Sequence, residues 1–415
     1  LTDLPHTGLL AAALLIFYAY RGFSIYSYLV VSTLYFITCD YGQNFWMAYV
    51  FIAAFFAIPV MRQFFITTPL VAIIKKLGLL PKISETERIA LTSGTVWVDG
   101  ELFSGKPNFK WIFSQPYPKL TDEEENFMKN DVEELCRMCS DYKVQIERDL
   151  PETVWQFLRD RKFFGMVIPK EYGGLGFSAY AHSCVIQKLA SRSVTLAISV
   201  MVPNSLGPAE LLLHYGTKNQ QDHYLPRLAD GRDLPCFALT EPTAGSDATS
   251  IISEGVLFKD MHGDIKIRLQ WNKRYITLGA YATLIGVAFQ LRDPDNLLFK
   301  ETNIGITCAL IPSDTDGVRQ GRRHDPLATP FVNSPINGDC VVVGLDAVIG
   351  GENGLGKGWK MLMECLAAGR GISLPSTSCG GSKLVARVTS AYCSIRQQFG
   401  LPIAKFEGVE EVLAR

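Results

Sequence analysis

A chain of 415 residues is long enough for two or three domains with cores of their own. Forty Lys and Arg against 41 Asp and Glu leave a formal net charge of −1, so no global field draws it to nucleic acid. Ten cysteines without framework spacing argue for reduced thiols in a cytosolic compartment, and six dispersed histidines offer no metal constellation.

Hydrophobic residues make up 48% of the chain, and the excess sits at the N-terminus. Residues 4–20, 22–39 and 41–61 are apolar runs divided only by Arg21 and Asp40. Each approaches the roughly 20 residues that cross a bilayer as a helix. Three runs in succession do not read as one signal peptide. Two arrangements fit: two or three spanning helices, or an interfacial anchor with a re-entrant first pair. Spanning helices are favoured, because Arg21 and Asp40 can then lie at opposite membrane faces. The third run, Phe45 to Met61, is the best candidate; Arg62, Lys75, Lys76 and Lys82 behind it place the remainder on the cytoplasmic side. Residues 63–120 read as a linker: an amphipathic piece from Phe64 to Leu80, a stop at Pro81 and a connector through Trp111.

From Thr121 the pattern is helical. Thr121-Asp-Glu-Glu124 has the form of a capping box, and its acidic first turn suits the helix dipole. Amphipathic helices are predicted from Pro151 to Arg161, Tyr180 to Ala190 and Gly207 to Tyr215, with Tyr172-Gly-Gly-Leu-Gly176 as a loop between. Alternation takes over in 235–350, with strands at Ile265–Leu269, Ala282–Leu291, Gly305–Ile311 and Cys340–Leu345. After Gly358 the helical period resumes, over Trp359 to Ala368 and Lys383 to Gln398. Helices, then strands, then helices describe an α+β architecture with an inserted β domain. The domains read as a hydrophobic membrane region (1–62), a linker (63–120), a helical domain (121–234), a β domain (235–350) and the start of a second helical domain (351–415). The chain begins at Leu1 and stops inside a helical stretch, Val409 to Arg415, which reads as a fragment at both ends.

Two decoys are set aside. Cys136-Arg-Met-Cys139 lacks a second pair or a nearby histidine and reads as structural. Gly354-Leu-Gly-Lys-Gly358 has neither G-x-G-x-x-G spacing nor a preceding βαβ unit, and reads as a flexible entry into a helix.

The stretch richest in chemistry is Phe237-Ala-Leu-Thr-Glu-Pro-Thr-Ala-Gly-Ser-Asp247. A strand should end near Pro242, and Gly245 permits a turn closed to other residues. Thr240, Ser246 and Asp247 place short polar groups around that turn. Such a hinge can aim N–H and O–H groups at one flat polar ligand. Roughly thirty residues on, Trp271-Asn-Lys-Arg-Tyr-Ile-Thr277 reads as a strand ending in an aromatic, an aliphatic and a hydroxyl.

In this order the two segments resemble the flavin-binding signature of the acyl-CoA dehydrogenase family. Ile168-Pro-Lys-Glu-Tyr-Gly-Gly174, Tyr224-Leu-Pro-Arg-Leu-Ala229 and Arg396-Gln-Gln-Phe-Gly400 extend the resemblance from about Leu120 to Arg415. The hydrophobic N-terminus looks most like the long, membrane-associated bacterial branch that serves fatty-acid β-oxidation. The resemblance implies an N-terminal helical domain, a middle β-barrel domain and a C-terminal helical bundle, here truncated. It implies FAD, held by Phe237, Leu239, Thr240 and Ser246 on one side and Tyr275, Ile276 and Thr277 on the other. Ser246 and Arg370 would meet the substrate, and Arg396 and Phe399 would clamp the cofactor of a neighbouring subunit, so a homo-oligomer is expected. An electron-transfer flavoprotein would take the electrons, and the cytoplasmic face of the bacterial inner membrane is the expected location.

The reaction so implied, acyl-CoA to trans-2-enoyl-CoA, needs a carboxylate base poised over the flavin. In the family one position for it precedes the arginine matched by Arg370, and here that place is Gly369, which cannot act. Glu364 lies well over one helical turn away and reads as structural, as does Glu241. The other family position lies beyond Arg415, so this fragment alone is expected to be inactive. Two alternatives keep or discard catalysis: an acyl-CoA oxidase on the same fold, and a non-catalytic membrane-tethered scaffold that binds acyl-CoA.

Overall fold

The computed structural model describes residues 16–18, 20–37, 41–79, 83–93 and 96–415. Most of the run at 4–20, together with Cys39, Asp40, Leu80, Pro81 and Lys82, lies outside them. The chain divides into two compact units, Leu1–Ser84 and Glu85–Arg415.

The first unit consists of apolar helices without a core. Helix α1 (Ile25–Ile37) and helix α2 (Gln43–Ala57) are joined by polar and aromatic contacts. The Tyr49 hydroxyl meets Ser32 Oγ at 2.8 Å and Thr33 Oγ1 at 2.7 Å, and donates to the Leu29 carbonyl at 3.1 Å. Phe36 packs edge-on against Tyr41, Phe45 and Tyr49. Beyond Ile58 the chain turns by 83° into α3 (Pro59–Lys76), which carries a π-turn at Gln63–Thr67. None of the described residues of this unit is buried. At 1.5 Å per residue the 15 residues of α2 rise about 22 Å, short of the ~30 Å hydrocarbon core of a bilayer. Among the described residues, the single helical stretch long and apolar enough to cross alone is Val194–Tyr215, and it is 82% buried inside the second unit, as a core helix is.

The second unit begins with α4 (Glu85–Thr92), held by a hydrogen bond from Trp359 Nε1 to the Thr86 carbonyl at 2.9 Å. The predicted capping box at the head of α5 (122–138) is present. Thr121 Oγ1 accepts from Glu124 N at 3.3 Å, and Glu124 Oε2 accepts from Thr121 N at 2.8 Å. Glu124 Oε1 also accepts from Ser178 N at 2.7 Å, which ties α5 to the start of α8 (Ala179–Ala190). Between these two helices lie α6 (Asp141–Glu147) and α7 (Glu152–Asp160). After α8 come α9 (Val194–Met201), α10 (Pro208–Tyr215) and α11 (Lys218–Ala229). Leu135, Leu158, Phe163, Ile186, Leu189 and Leu196 pack at their centre, all fully buried.

Seven strands follow: β1 (Pro235–Ala238), β2 (Glu254–Lys259), β3 (Ile265–Thr277), β4 (Leu284–Arg292), β5 (Asn303–Pro312), β6 (Val318–Gln320) and β7 (Asn333–Gly344). The two predicted strands at Ile265–Leu269 and Trp271–Thr277 are therefore one. β4 pairs with β5 along one side and, in parallel, with β1 and then β2 along the other. From β2 the sheet continues through β3 and β7 to β6. The resemblance led us to expect a barrel. Instead the strands form one sheet ending in β5 and β6, with no ladder between those two among the described residues.

The chain then enters α12 (Gly358–Ala368) from the Gly354–Gly358 loop, as predicted, and passes through a π-turn (Gly369–Ser373) into α13 (Leu374–Ile395). That π-turn meets another at Val202–Leu206, with Ser205 Oγ and Ser373 Oγ 2.5 Å apart. α13 lies on α8 so closely that a Cβ at Gly380 would come within 2.3 Å of the Gln187 carbonyl. A hairpin of β8 (Gln397–Gln398) and β9 (Leu401–Pro402) and the helix α14 (Glu407–Ala414) complete the unit. All nine described cysteines are free thiols, including Cys136 and Cys139.

Candidate functional site

The alternation of β3 builds the site. Ile267, Leu269, Trp271 and Lys273 point inward in strict period two, and all four are buried. Pairing with β7 then breaks between Lys273 and Ile276, and Tyr275 sits at φ +57°. A bulge of this kind reverses the inside–outside phase. Ile276 becomes the buried residue, Tyr275 turns outward, and Thr277 lies opposite Asn333. Tyr275 N donates to His324 Nε2 at 3.4 Å, and the two rings stand 4.9 Å apart.

Against this bulged end lies the loop that leaves β1. Arg274 N donates to the Thr240 carbonyl at 3.0 Å, and Arg274 Nη2 to the Pro242 carbonyl at 3.0 Å. Lys273 Nζ donates to the Leu239 carbonyl at 3.0 Å and to Glu241 Oε1 at 2.7 Å. The Lys273 and Glu241 side chains are 0% and 1% exposed. Glu241 also accepts from Ile252 N at 2.7 Å and Ser253 N at 3.1 Å. Burial works to raise the Glu241 carboxyl, but Lys273 and the two amides outweigh it and hold it below its usual value. Burial lowers the Lys273 ammonium, partly offset by Glu241. The two directions pull opposite ways on the shared proton. A carboxylate that already accepts two amide N–H groups is the poorer place for it, so the pair is ionic.

The two segments singled out in the sequence are thus in direct contact. Phe237 is half-buried with its ring over Gly286, where a Cβ would come within 2.6 Å of it. Leu239 and Thr240 are half-buried, and Ser246 is exposed at the turn. Asp247 accepts from Ser250 Oγ and from Thr249 Oγ1 at 2.8 Å, and those hydroxyls lower its carboxyl. Thr277 Oγ1 accepts from Asn333 Nδ2 at 3.4 Å. Gly245 corrects the sequence reading: its φ is not positive, and a Cβ there would meet nothing within 4 Å. Its identity is not demanded by the turn.

The remaining predicted residues lie elsewhere. Arg370 is exposed on its π-turn, with Nε donating to the Leu366 carbonyl at 3.4 Å. Glu364 accepts from the Tyr215 hydroxyl and pairs with Lys360 at 3.9 Å, the structural role expected. Arg396 is exposed, and Phe399 (95% exposed, φ +52°) forms the tip of the β8–β9 hairpin. Among the described residues no hydrogen bond or ring contact joins either to the loop or to β3. A cleft of about 620 Å³ between α5, α8 and α13, lined by Lys129, Lys188, Lys383 and Arg387, includes no residue of the loop.

Sequence reasoning missed Lys273, Arg274, His324 and Asn333. A lysine in the inward phase of an apolar strand was the available signal, since a buried ammonium requires a carboxylate. The edge suits a flat polar ring. The N–H and hydroxyl of Thr240 have no partner among the described residues, and Arg274 Nε and Asn333 Oδ1 are buried without one. On the same loop, Gly245 is exposed, and a Cβ there would meet no atom within 4 Å.

Comparison with known proteins identifies the family. Models of the N-terminal and middle domains of acyl-CoA dehydrogenase match residues 119–232 and 236–336, together just over half of the chain. Human mitochondrial very long-chain specific acyl-CoA dehydrogenase is 29% identical over 322 residues, covering 76% of this chain and 47% of that protein. A Proteus mirabilis protein named HemX is 53% identical over 113 residues, 27% of this chain and 66% of its own. The structure of a Mycobacterium smegmatis glutaryl-CoA dehydrogenase in complex with FADH2 superposes with a TM-score of 0.59 at 23% identity, over 77% of this chain and 75% of that one. The chain spans about half the length of the mitochondrial relatives it matches. With both domain models matched in chain order, and the boundary between them falling at the start of β1, this chain belongs to the acyl-CoA dehydrogenase family.

Proposed function

We propose that the chain carries the FAD site, and part of the substrate site, of a dehydrogenase that converts fatty acyl-CoA to trans-2-enoyl-CoA in β-oxidation. One observation carries the reading: the loop after β1 and the bulged end of β3 are bound to each other through Thr240 and Arg274, at 3.0 Å. When bound there, FAD supplies the acceptor for a hydride from the substrate β-carbon. Phe237, Leu239, Thr240 and Ser246 line the ring from the loop, and Tyr275, Ile276 and Thr277 from the bulge. The Thr240 N–H and hydroxyl would offer donors to the polar edge of the bound ring, and the Thr277 hydroxyl would offer another from β3. Ser246, at the exposed turn, and Arg370, exposed on its π-turn, meet the acyl-CoA.

The α-proton requires a base that we do not assign within residues 1–415. Gly369 has no side chain, Glu364 is held by Tyr215 and Lys360, and Glu241 is committed to Lys273. Arg396 and Phe399, presented on an exposed hairpin, serve the cofactor of a second copy, Arg396 by pairing with its pyrophosphate. An electron-transfer flavoprotein receives the electrons. The N-terminal unit tethers the protein to the cytoplasmic face of a bacterial inner membrane.

The test is purification of the full-length protein in mild detergent with added FAD, followed by anaerobic titration with palmitoyl-CoA. Yellow protein that bleaches on titration, and recolours only slowly in air, is the expected result. Rapid recolouring with peroxide would identify an oxidase. A protein that stays colourless with FAD present ends the flavin reading.

A further inference from the structure

We propose that the buried Lys273–Glu241 pair, with Arg274 beside it, is a positioning clamp that holds the loop Leu239–Pro242 in its ring-binding shape. The proposal rests on the flavin reading above and deepens it.

Four consecutive loop residues are each tied to one of two consecutive residues of β3, Leu239 and Glu241 to Lys273 and Thr240 and Pro242 to Arg274. Leu239 and Thr240 are held by their carbonyls, Glu241 by its carboxylate, and Pro242 by its carbonyl. Every tie is made through an oxygen of the loop. The peptide oxygens are thereby drawn toward β3, and among the described residues the Thr240 N–H and hydroxyl stay unengaged. Those are the donors that a ring edge rich in acceptors needs. Glu241 extends the same grip past the turn, to Ile252 N and Ser253 N at the entry to β2. One carboxylate therefore fixes both ends of the segment that carries Gly245, Ser246 and Asp247.

A buried ion pair is a poor source of net stability, because desolvation of both charges offsets their attraction. Apolar residues of similar size would fill the space at least as well. What they could not do is grip two oxygens of an irregular loop from a single strand position, as Lys273 Nζ does at 2.7 and 3.0 Å. Fixing a loop in one register is the best-attested use of such a pair. A ligand that meets a preshaped loop does not bear the cost of ordering it.

The test uses the full-length protein and three readouts: FAD affinity from flavin fluorescence quenching, the visible spectrum of the bound cofactor, and the unfolding temperature. Binding of FAD by the unaltered protein establishes the flavin reading before any variant is considered; its failure would be the failure of that reading, not of the clamp. Lys273→Met and Glu241→Gln each leave a buried group unpaired, so both should lose stability and at least tenfold in FAD affinity. The double variant Lys273→Met/Glu241→Gln removes the unpaired charge. Its unfolding temperature should recover, while FAD affinity stays at least tenfold weak and the spectrum stays altered. Recovery of affinity and spectrum along with stability would reduce the pair to packing and overturn the proposal. Should the pair variants not fold, Arg274→Met decides, since that side chain is only half-buried. Threefold weaker FAD at an unchanged unfolding temperature supports the clamp, and unaltered affinity refutes it.

Discussion

Two glycines in the segments that carry the family resemblance separate structural need from ligand need. A Cβ at Gly174 would lie 2.0 Å from the Ile168 carbonyl oxygen, so Gly174→Ala must displace backbone. We expect a loss of about 1–3 kcal/mol, read as a lower denaturant midpoint, from overpacking of this kind. A Cβ at Gly245 would touch nothing in the chain. Gly245→Ala should leave stability within about 0.5 kcal/mol, as exposed substitutions do. Its FAD dissociation constant should rise roughly tenfold, equivalent to about 1.4 kcal/mol, if the ring approaches there. Equal losses at both sites, or an unaltered FAD constant in Gly245→Ala, would remove the ligand argument for that position. His182 gives a prediction of another kind. It is 2% exposed with Nε2 unpartnered, and burial pushes its imidazolium down from 6.5 to about 4. The folded state keeps it neutral where the unfolded chain takes up a proton, so stability falls as pH drops from 6.5 toward 4. One such proton is worth about 1.4 kcal/mol per pH unit, or ~2 kcal/mol between pH 6.5 and 5. Glu124, Glu241 and Asp293, all held below their usual values, lose their contributions only in the more acidic range. Stability profiles of the parent and His182→Leu should therefore diverge in slope between pH 5 and 6.5; parallel profiles would show that His182 does not titrate as described.

At the scale of elements, Glu124 exceeds an ordinary cap. Its two oxygens satisfy Thr121 N and Ser178 N, the heads of α5 and α8, and it is 4% exposed. Glu124→Ala should cost about 2 kcal/mol, more than the ~1 kcal/mol of Thr121→Ala, because it also removes the acceptor of Ser178 N at the head of α8. Equal midpoints for the two variants would mean that the Ser178 contact contributes nothing. The capping box was legible because its chemistry is local: four residues and one turn. The helices at Glu152–Asp160, Ala179–Ala190 and Pro208–Tyr215 were legible for the same reason, through their period. β3 was only half legible. Its alternation is plain, but the bulge at Tyr275 comes from pairing with β7, which lies about sixty residues away and leaves no local mark. The π-turns at Val202–Leu206 and Gly369–Ser373 were invisible for a like reason, since Ser205 and Ser373 look like ordinary helix serines until they meet. Lys273 and Glu241 stood in the two segments that were recognised, yet their union needed the fold.

Over the whole molecule the two units obey different rules of burial. In Glu85–Arg415 the large side chains Phe163, Phe164, Met166 and Phe289 are all below 2% exposed. In Leu1–Ser84 the described helices bury nothing, with Phe51 75%, Phe64 69% and Val60 69% exposed. Continuous apolar surface of that kind is untenable in water and marks an interaction face. One polar cluster on it is satisfied internally, as a lipid environment would require: the Tyr49 hydroxyl is surrounded by Ser32, Thr33 and the Leu29 carbonyl. Arg62 donates to the Phe56 carbonyl and Lys75 and Lys76 close α3, the cationic flank expected of a segment that lies at an anionic membrane surface. The 83° turn after a helix of only 15 residues suits insertion followed by a course along that surface better than three straight crossings. We therefore expect the detergent-purified full-length protein to float with phosphatidylethanolamine–phosphatidylglycerol vesicles after detergent removal, and to resist extraction by high salt. A variant starting at Glu85 should remain in the soluble fraction while keeping the unfolding transition of the second unit, whose described core clusters are built from residues between Phe127 and Cys365. Flotation of the shortened variant to the same extent would move the membrane contact into the second unit, and salt-extractable binding of the full chain would exclude insertion of α1 and α2.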